Sequence, residues 1–364
     1  MSAADAVVIG GGIAGVSIAY ELAAHGSVVL AEAEPSLALH TTGRSAAIYA
    51  PSYGAPVVRA LTVASENRFA EQILTPHPAL WLACDQLAAD ILHTVVEEGS
   101  VRELTTDETL ALCPPLDPAR LLASGVDDTA MDIDVMAVHH GFVRGLKHRG
   151  GKVHTGAPVH DIRRDPSGWT VHVGQQRFST PLVVNAAGAW VDRVAALAGV
   201  PPIGIQPRRR TVALASGAVP ADPKWPLVID AAERFYFRTE GTRILISPAD
   251  ETPSEPMDAK PDELDIAAAI ERINDVTTLG LRSVHTAWAG LRSFVPDRLP
   301  VAGSWPEHPG FAFFAGQGGY GIQMAPALAA AGAAIMLGDP IPADIGVRAD
   351  DIAPDRPSIV GTHE

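Results

Sequence analysis

The chain has 364 residues, of which 47% are hydrophobic and 19% are charged, and its net charge is −15. This length is enough to bury a large core and predicts two domains. Because 27 Lys and Arg stand against 42 Asp and Glu, nucleic acid and anionic membranes are excluded as expected partners, since both require a basic surface.

Cysteine content and the apolar runs indicate the compartment. Cys84 and Cys113 are the only cysteines and have no metal-ligand spacing. They are expected to be reduced thiols in a cytoplasmic protein, with a single disulfide as the alternative. The start of the chain does not read as a secretory leader, and the apolar run from Met324 to Leu337 is short and contains Pro326. We therefore expect no membrane span.

The first predicted elements are a strand, a helix and a second strand across residues 5–32. A Gly-x-Gly-x-x-Gly motif joins the first strand to the helix. In this motif Gly10 permits a tight turn, Gly12 lets backbone N–H groups approach a pyrophosphate, and Gly15 allows close packing of helix on strand. The helix N-terminus favours the phosphate charge. Glu32, after the second strand, is placed to accept ribose hydroxyls, so the segment predicts a dinucleotide site for NAD or FAD.

The remaining elements follow from hydrophobic periodicity and turn residues. Helices are predicted at Val57–Leu74, Asp132–Arg149, Val191–Ala198, Glu263–Val276 and Gly321–Leu337. Strands are predicted at Lys152–His154, in a hairpin over Asp161–Phe178, from Leu182, through a β-rich stretch over Gly204–Ser247, and at Trp288–Phe294 and Phe311–Ala315. The proline-broken segment between Pro76 and Met131 is expected in a second domain. Residues 248–261 are expected as a long loop, and the tail after Pro340 as a surface extension.

Two downstream glycine clusters favour FAD over NAD. The first, Asn185–Trp190, ends a strand, and the second, Gly316–Gln323, opens a helix. A helix N-terminus in the second cluster would stabilise negative charge on the N1–C2=O edge of a reduced flavin. An NAD-dependent dehydrogenase is the alternative.

With these motifs in order, the sequence resembles the FAD-dependent D-amino-acid oxidases and dehydrogenases, and among them the bacterial D-arginine dehydrogenases. The resemblance also includes His40–Ala47, Tyr53-Gly54, Val57–Thr62, Gln206–Arg210, Phe235-Tyr236 and Trp288–Phe294. It implies an α/β fold with a Rossmann-like, discontinuous FAD-binding domain of residues 1–76, 132–204 and 291–364. Residues 77–131 and 205–290 would form an antiparallel-sheet (α+β) substrate domain whose sheet covers the flavin.

The resemblance further implies non-covalent FAD, because neither cysteine stands where a covalent flavin link needs a thiol. The residues expected to bind the cofactor are Gly10, Gly12, Ile13, Ala14, Gly15, Glu32, Ala33, Thr41, Thr42, Arg44, Ser45, Ala46, Ala47, Ile48, Val159, Gly188, Gly319, Tyr320, Gly321, Ile322 and Gln323. Val159 is expected to hold the adenine end through its backbone.

The activity implied by the resemblance is oxidative deamination of D-amino acids. A hydride passes from Cα to flavin N5, and the imine hydrolyses to a 2-oxo acid and ammonia. Arg210 and Arg292 match the carboxylate-binding positions, where the planar guanidinium can make two parallel charge-assisted bonds. Tyr53 and Tyr236 match positions where hydroxyls meet the substrate. These four residues are the expected catalytic set, and Gly319 is also expected to contact the substrate.

Specificity is predicted from two positions. Asp85 aligns with the acid that binds the guanidinium group of D-arginine in the relatives, which implies a basic or broad side-chain preference. Asp85 is one methylene shorter than the usual Glu, and Ile48 stands where the relatives carry His. Both departures make the predicted pocket more apolar and favour neutral D-amino acids as the competing interpretation.

Two further functions are carried as alternatives. One is an oxidase for glycine, sarcosine or another secondary amine that passes electrons to O2. The other is a protein that binds flavin without catalysis. The electron acceptor is left open among a quinone, a carrier and O2.

Overall fold

A computed structural model of the protein describes residues 2–166 and 168–360. Its strands in chain order are β1 (Ser2–Ala3), β2 (Ala6–Ile9), β3 (Val28–Ala31), β4 (Ile48–Tyr49), β5 (Leu74–Pro76), β6 (Ala79–Ala83), β7 (Arg102–Glu103), β8 (Ala123–Asp127), β9 (Met131–Ile133), β10 (Lys152–His154), β11 (Val159–Asp165), β12 (Gly168–Val173), β13 (Gln176–Thr180), β14 (Leu182–Asn185), β15 (Gln206–Ser216), β16 (Leu227–Asp230), β17 (Tyr236–Glu240), β18 (Arg243–Ser247), β19 (Thr252–Pro253), β20 (Ser283–Phe294), β21 (Val301–Ser304) and β22 (Phe311–Ala315). Its helices are α1 (Ile13–Leu22), α2 (Pro56–Ser65), α3 (Gln86–Glu97), α4 (Thr106–Leu112), α5 (Val135–His148), α6 (Val191–Leu197), α7 (Glu263–Val276), α8 (Gly321–Leu337), α9 (Ala349–Ile352) and α10 (Pro357–Val360).

A six-stranded sheet in the order β10-β3-β2-β14-β22-β21 carries the glycine motif. All neighbouring pairs are parallel except β21 with β22. Strand β2 pairs with β3 on one side and with β14 on the other. The chain therefore continues first to one side of β2 and later to the other, and the strand order reverses there. Ligands of open parallel sheets bind outside the carboxyl ends of strands at such a reversal. The motif therefore stands where the fold class predicts a dinucleotide.

The strands of this sheet are buried on both faces, which explains their unbroken apolar sequences. Val8 and Val184 point into a core shared with α1, α5 and α8. Their neighbours Val7 and Val183 point into a second core formed with α6 and a four-stranded sheet, β1-β13-β12-β11. The strand–helix–strand prediction for residues 5–32 is confirmed.

A nine-stranded sheet forms the second layer, in the order β19-β15-β18-β17-β16-β6-β8-β7, with β20 paired to β15. Its strands come from the two segments assigned above to a substrate domain, but β20 continues past the predicted boundary at residue 290 to Phe294. The sheet is mixed rather than antiparallel, because β6 and β16 pair in parallel where the two segments meet. The domain division itself stays a prediction.

Several predicted elements need correction at their ends. The predicted helix Val57–Leu74 stops at Ser65, because the chain turns after a short 3-10 segment and places the Phe69 ring edge-on to Tyr49 at 6.3 Å. The helix predicted from Asp132 begins at Val135, because the Asp134 carboxylate caps it by accepting from the Ala137 N–H at 2.8 Å. The predicted bounds of α7 and α8 are confirmed. Within residues 2–166 and 168–360, no helix is both long enough and apolar enough to cross a membrane.

The tail after Pro340 is not a surface extension. Its apolar side chains Ile345, Ile352 and Ile359 are buried. Arg356, 7% exposed, donates to both carboxylate oxygens of Asp297 at 2.6 and 2.8 Å. The same guanidinium donates to three backbone carbonyls. The tail therefore closes over the end of the six-stranded sheet, and its last residues, 361–364, lie outside the described part of the chain.

We expect the substitution Arg356→Met to lower the free energy of unfolding by about 3–5 kcal/mol, because it removes a buried guanidinium and leaves the largely buried Asp297 carboxylate without its charged partner. Urea unfolding followed by circular dichroism measures this loss. The control is Arg348→Met, which breaks an Arg–Asp pair whose arginine side chain is 79% exposed and is expected to cost less than about 1 kcal/mol. Equal losses in both variants would contradict the buried role of the pair.

The contribution of the Arg356–Asp297 pair to the free energy of unfolding should also depend on pH. Burial alone would raise the pKa of Asp297, but hydrogen bonds from Arg356 and Ser358 hold it below its usual value. A carboxyl whose pKa is lowered by folding stabilises the fold above its unfolded pKa, and that contribution is lost as the pH falls through the folded value. The difference between wild type and Arg356→Met should therefore shrink in acid.

Candidate functional site

A cavity of about 570 Å³ opens at the carboxyl ends of β2 and β14 and continues beneath the nine-stranded sheet. It is lined by the glycine motif, the turn after β14, the turn before α8, and side chains from β15, β16 and β20. The volume is in the range of small-molecule and cofactor sites, about 300–1,000 Å³. The two glycine clusters singled out in the sequence therefore meet the motif at one site.

The first and last glycines of the motif are needed for packing at the strand–helix junction. Gly10 has φ of +114°, and a Cβ there would lie 2.4 Å from the Ala186 carbonyl oxygen. A Cβ on Gly15 would lie 1.8 Å from the Gly10 carbonyl oxygen. Gly10 and Gly12 line the cavity, whereas Gly15 is behind them. The structure thus does not bring Gly15 to the cavity wall, because its close contact is with Gly10.

The Gly11 peptide is held from two sides. Its N–H donates to the Glu32 carboxylate at 2.6 Å, and its carbonyl oxygen lies 3.0 Å from His139 Nε2. Glu32 also accepts from the Glu34 N–H at 2.8 Å. A carboxylate has about four acceptor positions, so Glu32 keeps lone pairs for hydroxyls in the cavity it lines. Burial lowers the pKa of His139, which favours the neutral ring. No sequence signal had indicated His139.

The segment 41–48 covers one side of the cavity and is tied to both sheets. The buried Thr42 hydroxyl accepts from the Ile13 N–H at 2.9 Å, at the start of α1. Thr41 donates to the Leu291 carbonyl at 2.8 Å. Arg44 donates to the Ala289 carbonyl at 2.9 Å and to Asp258 at 2.5 Å. These bonds fix a wall whose residues Ala46, Ala47 and Ile48 face the cavity.

Of the other residues predicted to bind cofactor, only Tyr320 is away from the wall. The lining includes Gly10, Gly12, Ile13, Ala14, Glu32, Ala33, Thr41, Thr42, Arg44, Ser45, Ala46, Ala47, Ile48, Val159, Gly188, Gly319, Gly321, Ile322 and Gln323. Tyr320 lies behind, with its ring centroid 5.2 Å from that of Tyr53.

Polar atoms without protein partners mark the wall of the cavity. Within the described residues, buried atoms that lack a hydrogen bond include Ser293 Oγ, Tyr236 Oη, Gln323 Nε2 and both amide atoms of Gln317. All four residues line the cavity. Buried polar groups are nearly always paired in folded proteins, so this set indicates a polar ligand. A dinucleotide loop, an acid that accepts hydroxyls and unpaired polar side chains together fit FAD.

The predicted substrate residues Tyr53, Arg210, Tyr236 and Arg292 are brought together at the other end of the cavity. A Cβ on Gly319 would lie 2.6 Å from Arg292 Cζ, so only glycine admits the guanidinium group there. Within the described residues Arg292 has no carboxylate within salt-bridge distance, and its guanidinium is hydrogen-bonded to Tyr53. Its charge is therefore available to an anionic ligand.

Arg210 is only 5% exposed and is committed to the protein. Its Nε donates to the Asp250 carbonyl at 2.8 Å, and its Nη2 lies 3.4 Å from Glu251. Glu251 is itself held by Arg298 at 2.7 and 3.0 Å. The two arginines, which both match carboxylate-binding positions in the sequence, therefore differ, since Arg292 bonds only a neutral phenol and Arg210 bonds a carbonyl and a carboxylate.

Tyr53 donates its hydroxyl proton to Glu233 Oε2 at 2.9 Å. Burial and the nearby Glu233 charge raise the pKa of Tyr53 well above its ordinary value. The phenol therefore stays protonated at neutral pH, and its oxygen, which accepts from Arg292, has a second lone pair that can accept from a ligand. Tyr53 is suited to orient a ligand and unsuited to act as a base.

The structure does not bring Asp85 to the cavity. Its carboxylate caps α3 by accepting from the Ala88 N–H at 3.0 Å and pairs with Arg234. The backbone bond to Ala88 and the Arg234 guanidinium lower the pKa of Asp85. The acid at this end of the cavity is instead Glu233, which the sequence analysis missed. Glu233 lies in a turn with φ of +53°, and no motif marks that turn.

The wall beside these polar groups is apolar. Val212, Leu227 and Ile229 face the cavity from β15 and β16. Leu227 and Ile229 are two residues apart, and Val228 between them packs on the opposite face. This alternation was visible in the sequence, but which face meets the ligand depends on the pairing of distant strands. This end of the cavity thus combines the Arg292 guanidinium, the Glu233 carboxylate, two phenols and a hydrophobic wall.

Comparison with known proteins places this site in a family. A model of FAD-dependent oxidoreductases matches residues 5–335. FAD-dependent oxidoreductase domain-containing protein 1 of Bos taurus is 33% identical over 182 residues, which cover 44% of this chain and 37% of that protein. The chain therefore spans little more than a third of the bovine relative's length. Glycine oxidase of Geobacillus kaustophilus is 24% identical over 88% of this chain and 90% of that protein.

Solved structures share the fold. L-proline dehydrogenase from P. horikoshii superimposes with a TM-score of 0.82 at 22% identity, over 98% of both chains. Glycine oxidase from Geobacillus kaustophilus superimposes with a TM-score of 0.80 at 21% identity, over 93% of this chain and 96% of that one.

Replacing Glu32 should weaken cofactor binding. In Glu32→Ala the Gly11 N–H loses its acceptor, and hydroxyls in the cavity lose a charged one. Such bonds contribute about 1.5–3 kcal/mol, so the Kd for FAD should rise by roughly 10- to 150-fold. Fluorescence titration of FAD-depleted protein measures this change. Glu97→Ala, an exposed acid on α3, is the control, and an unchanged Kd in Glu32→Ala would contradict the assignment.

Proposed function

The chain belongs to the family of FAD-dependent oxidoreductases, and on this premise we propose that it oxidises amino acids at Cα, with a D-amino acid bearing a neutral side chain as the preferred substrate. FAD is its cofactor. We also propose that the flavin is held non-covalently and that the enzyme works in the cytoplasm. Cys84 and Cys113 are free thiols outside the cavity wall, in keeping with a non-covalent flavin.

The observation that carries the proposal is the Arg292 guanidinium, which has no carboxylate partner among the described residues and lies beside two phenols and a hydrophobic wall. A carboxylate can form two parallel charge-assisted bonds with a planar guanidinium group. That contact would leave the substrate side chain against Val212, Leu227 and Ile229. The apolar wall, the pairing of Asp85 with Arg234 and the hydrogen bond that engages Glu233 with Tyr53 support a neutral side chain over a basic one. The D configuration is proposed from the resemblance to D-amino-acid dehydrogenases.

The residues around the substrate act by binding and orientation. The substrate carboxylate binds Arg292, and Arg210 holds the 250–251 segment beside it. Because the Tyr53 proton is donated to Glu233, the Tyr53 oxygen accepts from the substrate amine. The apolar side chains exclude water from Cα, and orientation of this kind lowers the barrier. When bound, FAD supplies the acceptor for the two electrons and the hydrogen that leave Cα. The resulting imine hydrolyses in water.

The second candidate is oxidation of glycine, sarcosine or another small secondary amine with O2. It is favoured by the similarity to glycine oxidase of Geobacillus kaustophilus over most of both chains. The same Arg292 contact serves this substrate, but the hydrophobic wall would then face no side chain. The two candidates therefore differ in whether the wall contributes to kcat/KM.

A substrate panel separates the candidates. We expect kcat/KM for D-Leu and D-Met to exceed that for D-Arg, D-Lys, glycine and sarcosine, and the L-enantiomers to be poor. Each buried methylene adds about 0.8 kcal/mol, so D-Leu should exceed glycine by well over tenfold. Rates are measured with an artificial electron acceptor and, separately, as O2 consumption. Faster turnover of glycine or sarcosine would favour the second candidate. If none of these amines reduces the flavin, seen as no loss of its visible absorbance, both candidates are contradicted.

The carboxylate contact is tested by Arg292→Ala. Loss of a bidentate charged contact costs roughly 2–5 kcal/mol when its partner is left desolvated, so kcat/KM should fall by about two to three orders of magnitude. Arg210→Ala should lower kcat/KM by only about tenfold, because the Arg210 guanidinium is bonded to the protein. Arg243→Ala, an exposed arginine on β18, is the control. FAD content should be unchanged in all three, and near wild-type activity in Arg292→Ala would remove this residue from the active site.

A further inference from the structure

Gln317 carries a buried carboxamide with no bond to the protein. The residue is 8% exposed and lines the cavity between β22 and α8. Within the described residues neither its Nε2 nor its Oε1 has a hydrogen-bond partner. A buried amide in this state costs stability in the ligand-free protein. Such a cost indicates that a ligand satisfies the group.

The position of Gln317 limits which part of a ligand it can meet. A Cβ built on Gly321, the first residue of α8, would lie 2.8 Å from Gln317 Oε1 and 3.5 Å from Ile13 Cγ2. Ile13 begins α1 and lies within the glycine motif, next to Gly12. Gly319, two residues after Gln317, touches the Arg292 guanidinium. Gln317 therefore lies between the phosphate-binding turn and the substrate arginine.

Gln323, on the first turns of α8, provides the contrast. Its Oε1 accepts from the Ala50 N–H at 3.1 Å, and only its Nε2 is unpaired. Gln323 thus has a structural hydrogen bond, whereas Gln317 has none. Substitution of the two residues should therefore have opposite effects on the ligand-free protein.

We propose that the Gln317 carboxamide binds the ribityl chain of FAD. This chain joins the pyrophosphate to the flavin ring and carries three hydroxyl groups, each able to donate and to accept. A carboxamide offers two donors and an acceptor with two lone pairs, so it can both donate to and accept from neighbouring hydroxyls. The place of Gln317 between the phosphate-binding turn and Arg292 favours the ribityl chain over the phosphates and the ring, which lie at its two ends. The proposal rests on FAD as cofactor and is independent of which amine is oxidised.

The first test uses Gln317→Leu, a substitution of similar volume. Because it removes an unpaired polar group, the melting temperature of the FAD-depleted full chain should rise, on the order of 2 °C. The Kd for FAD should also rise, by about tenfold. The matched variant Gln323→Leu should instead lower the melting temperature, because it leaves the Ala50 N–H unpaired. A lower melting temperature with unchanged Kd in Gln317→Leu would mean that the amide is structural, and would overturn the proposal.

The second test identifies the partner on FAD. Wild type and Gln317→Leu are titrated with FAD and with analogues that lack the 2′-, 3′- or 4′-hydroxyl of the ribityl chain. In wild type, loss of the partnered hydroxyl should raise the Kd by about tenfold, and in the variant by less than about threefold. Equal losses in both proteins for every analogue would overturn the proposal. Gln317→Met serves as a second variant, and failure of both variants to fold would show that the amide is structural.

Discussion

The close contact between the end of strand β2 and the start of helix α1 determines the rest of the site. Gly15 approaches the Gly10 carbonyl so closely that any side chain at Gly15 would collide with it. This contact aims the N-terminus of α1 into the cavity, where its partial positive charge can meet phosphate. Thr42 and His139 then bond to Ile13 and Gly11. Two elements distant in sequence are thereby positioned by one strand–helix junction.

Whether a polar side chain in the cavity region already has a hydrogen-bond or salt-bridge partner in the protein distinguishes candidate ligand contacts from structural residues. The charged groups of Arg210, Arg44 and Asp85 are bonded to carbonyls, to carboxylates or to the N-terminus of a helix. In the same wall the buried Gln317 carboxamide has no such partner among the described residues, and Arg292 bonds only the neutral Tyr53 phenol. In a cavity wall, a ligand that pairs with such a group offsets that cost. The division is invisible in the sequence, where Arg210 and Arg292 fit the same pattern.

The elements that could be predicted from sequence are those whose signals are local. The glycine motif predicted β2 and α1, and the periodicity of Glu263–Val276 predicted α7 with its ends. Asp85 was placed in the substrate pocket by alignment, although Asp before a helical run is also an N-cap signal. Glu233 could not be found, because it reaches the cavity only after β16 pairs with β6. The prediction of a surface tail was wrong for a related reason, since the isoleucines of the tail pack on strands brought together by the whole chain.

The packing of α1 against α8 has a consequence for how the protein is made. These helices are separated by some three hundred residues of chain, yet both border the cofactor cavity. Contacts of such long sequence separation form slowly, and on the ribosome they must wait for the later segment to emerge. Residues that begin the flavin site leave the ribosome some three hundred residues before those that complete it. The cavity can therefore close around FAD only after α8 has been synthesised, and until then the nascent chain exposes an unfilled, partly apolar crevice that favours aggregation.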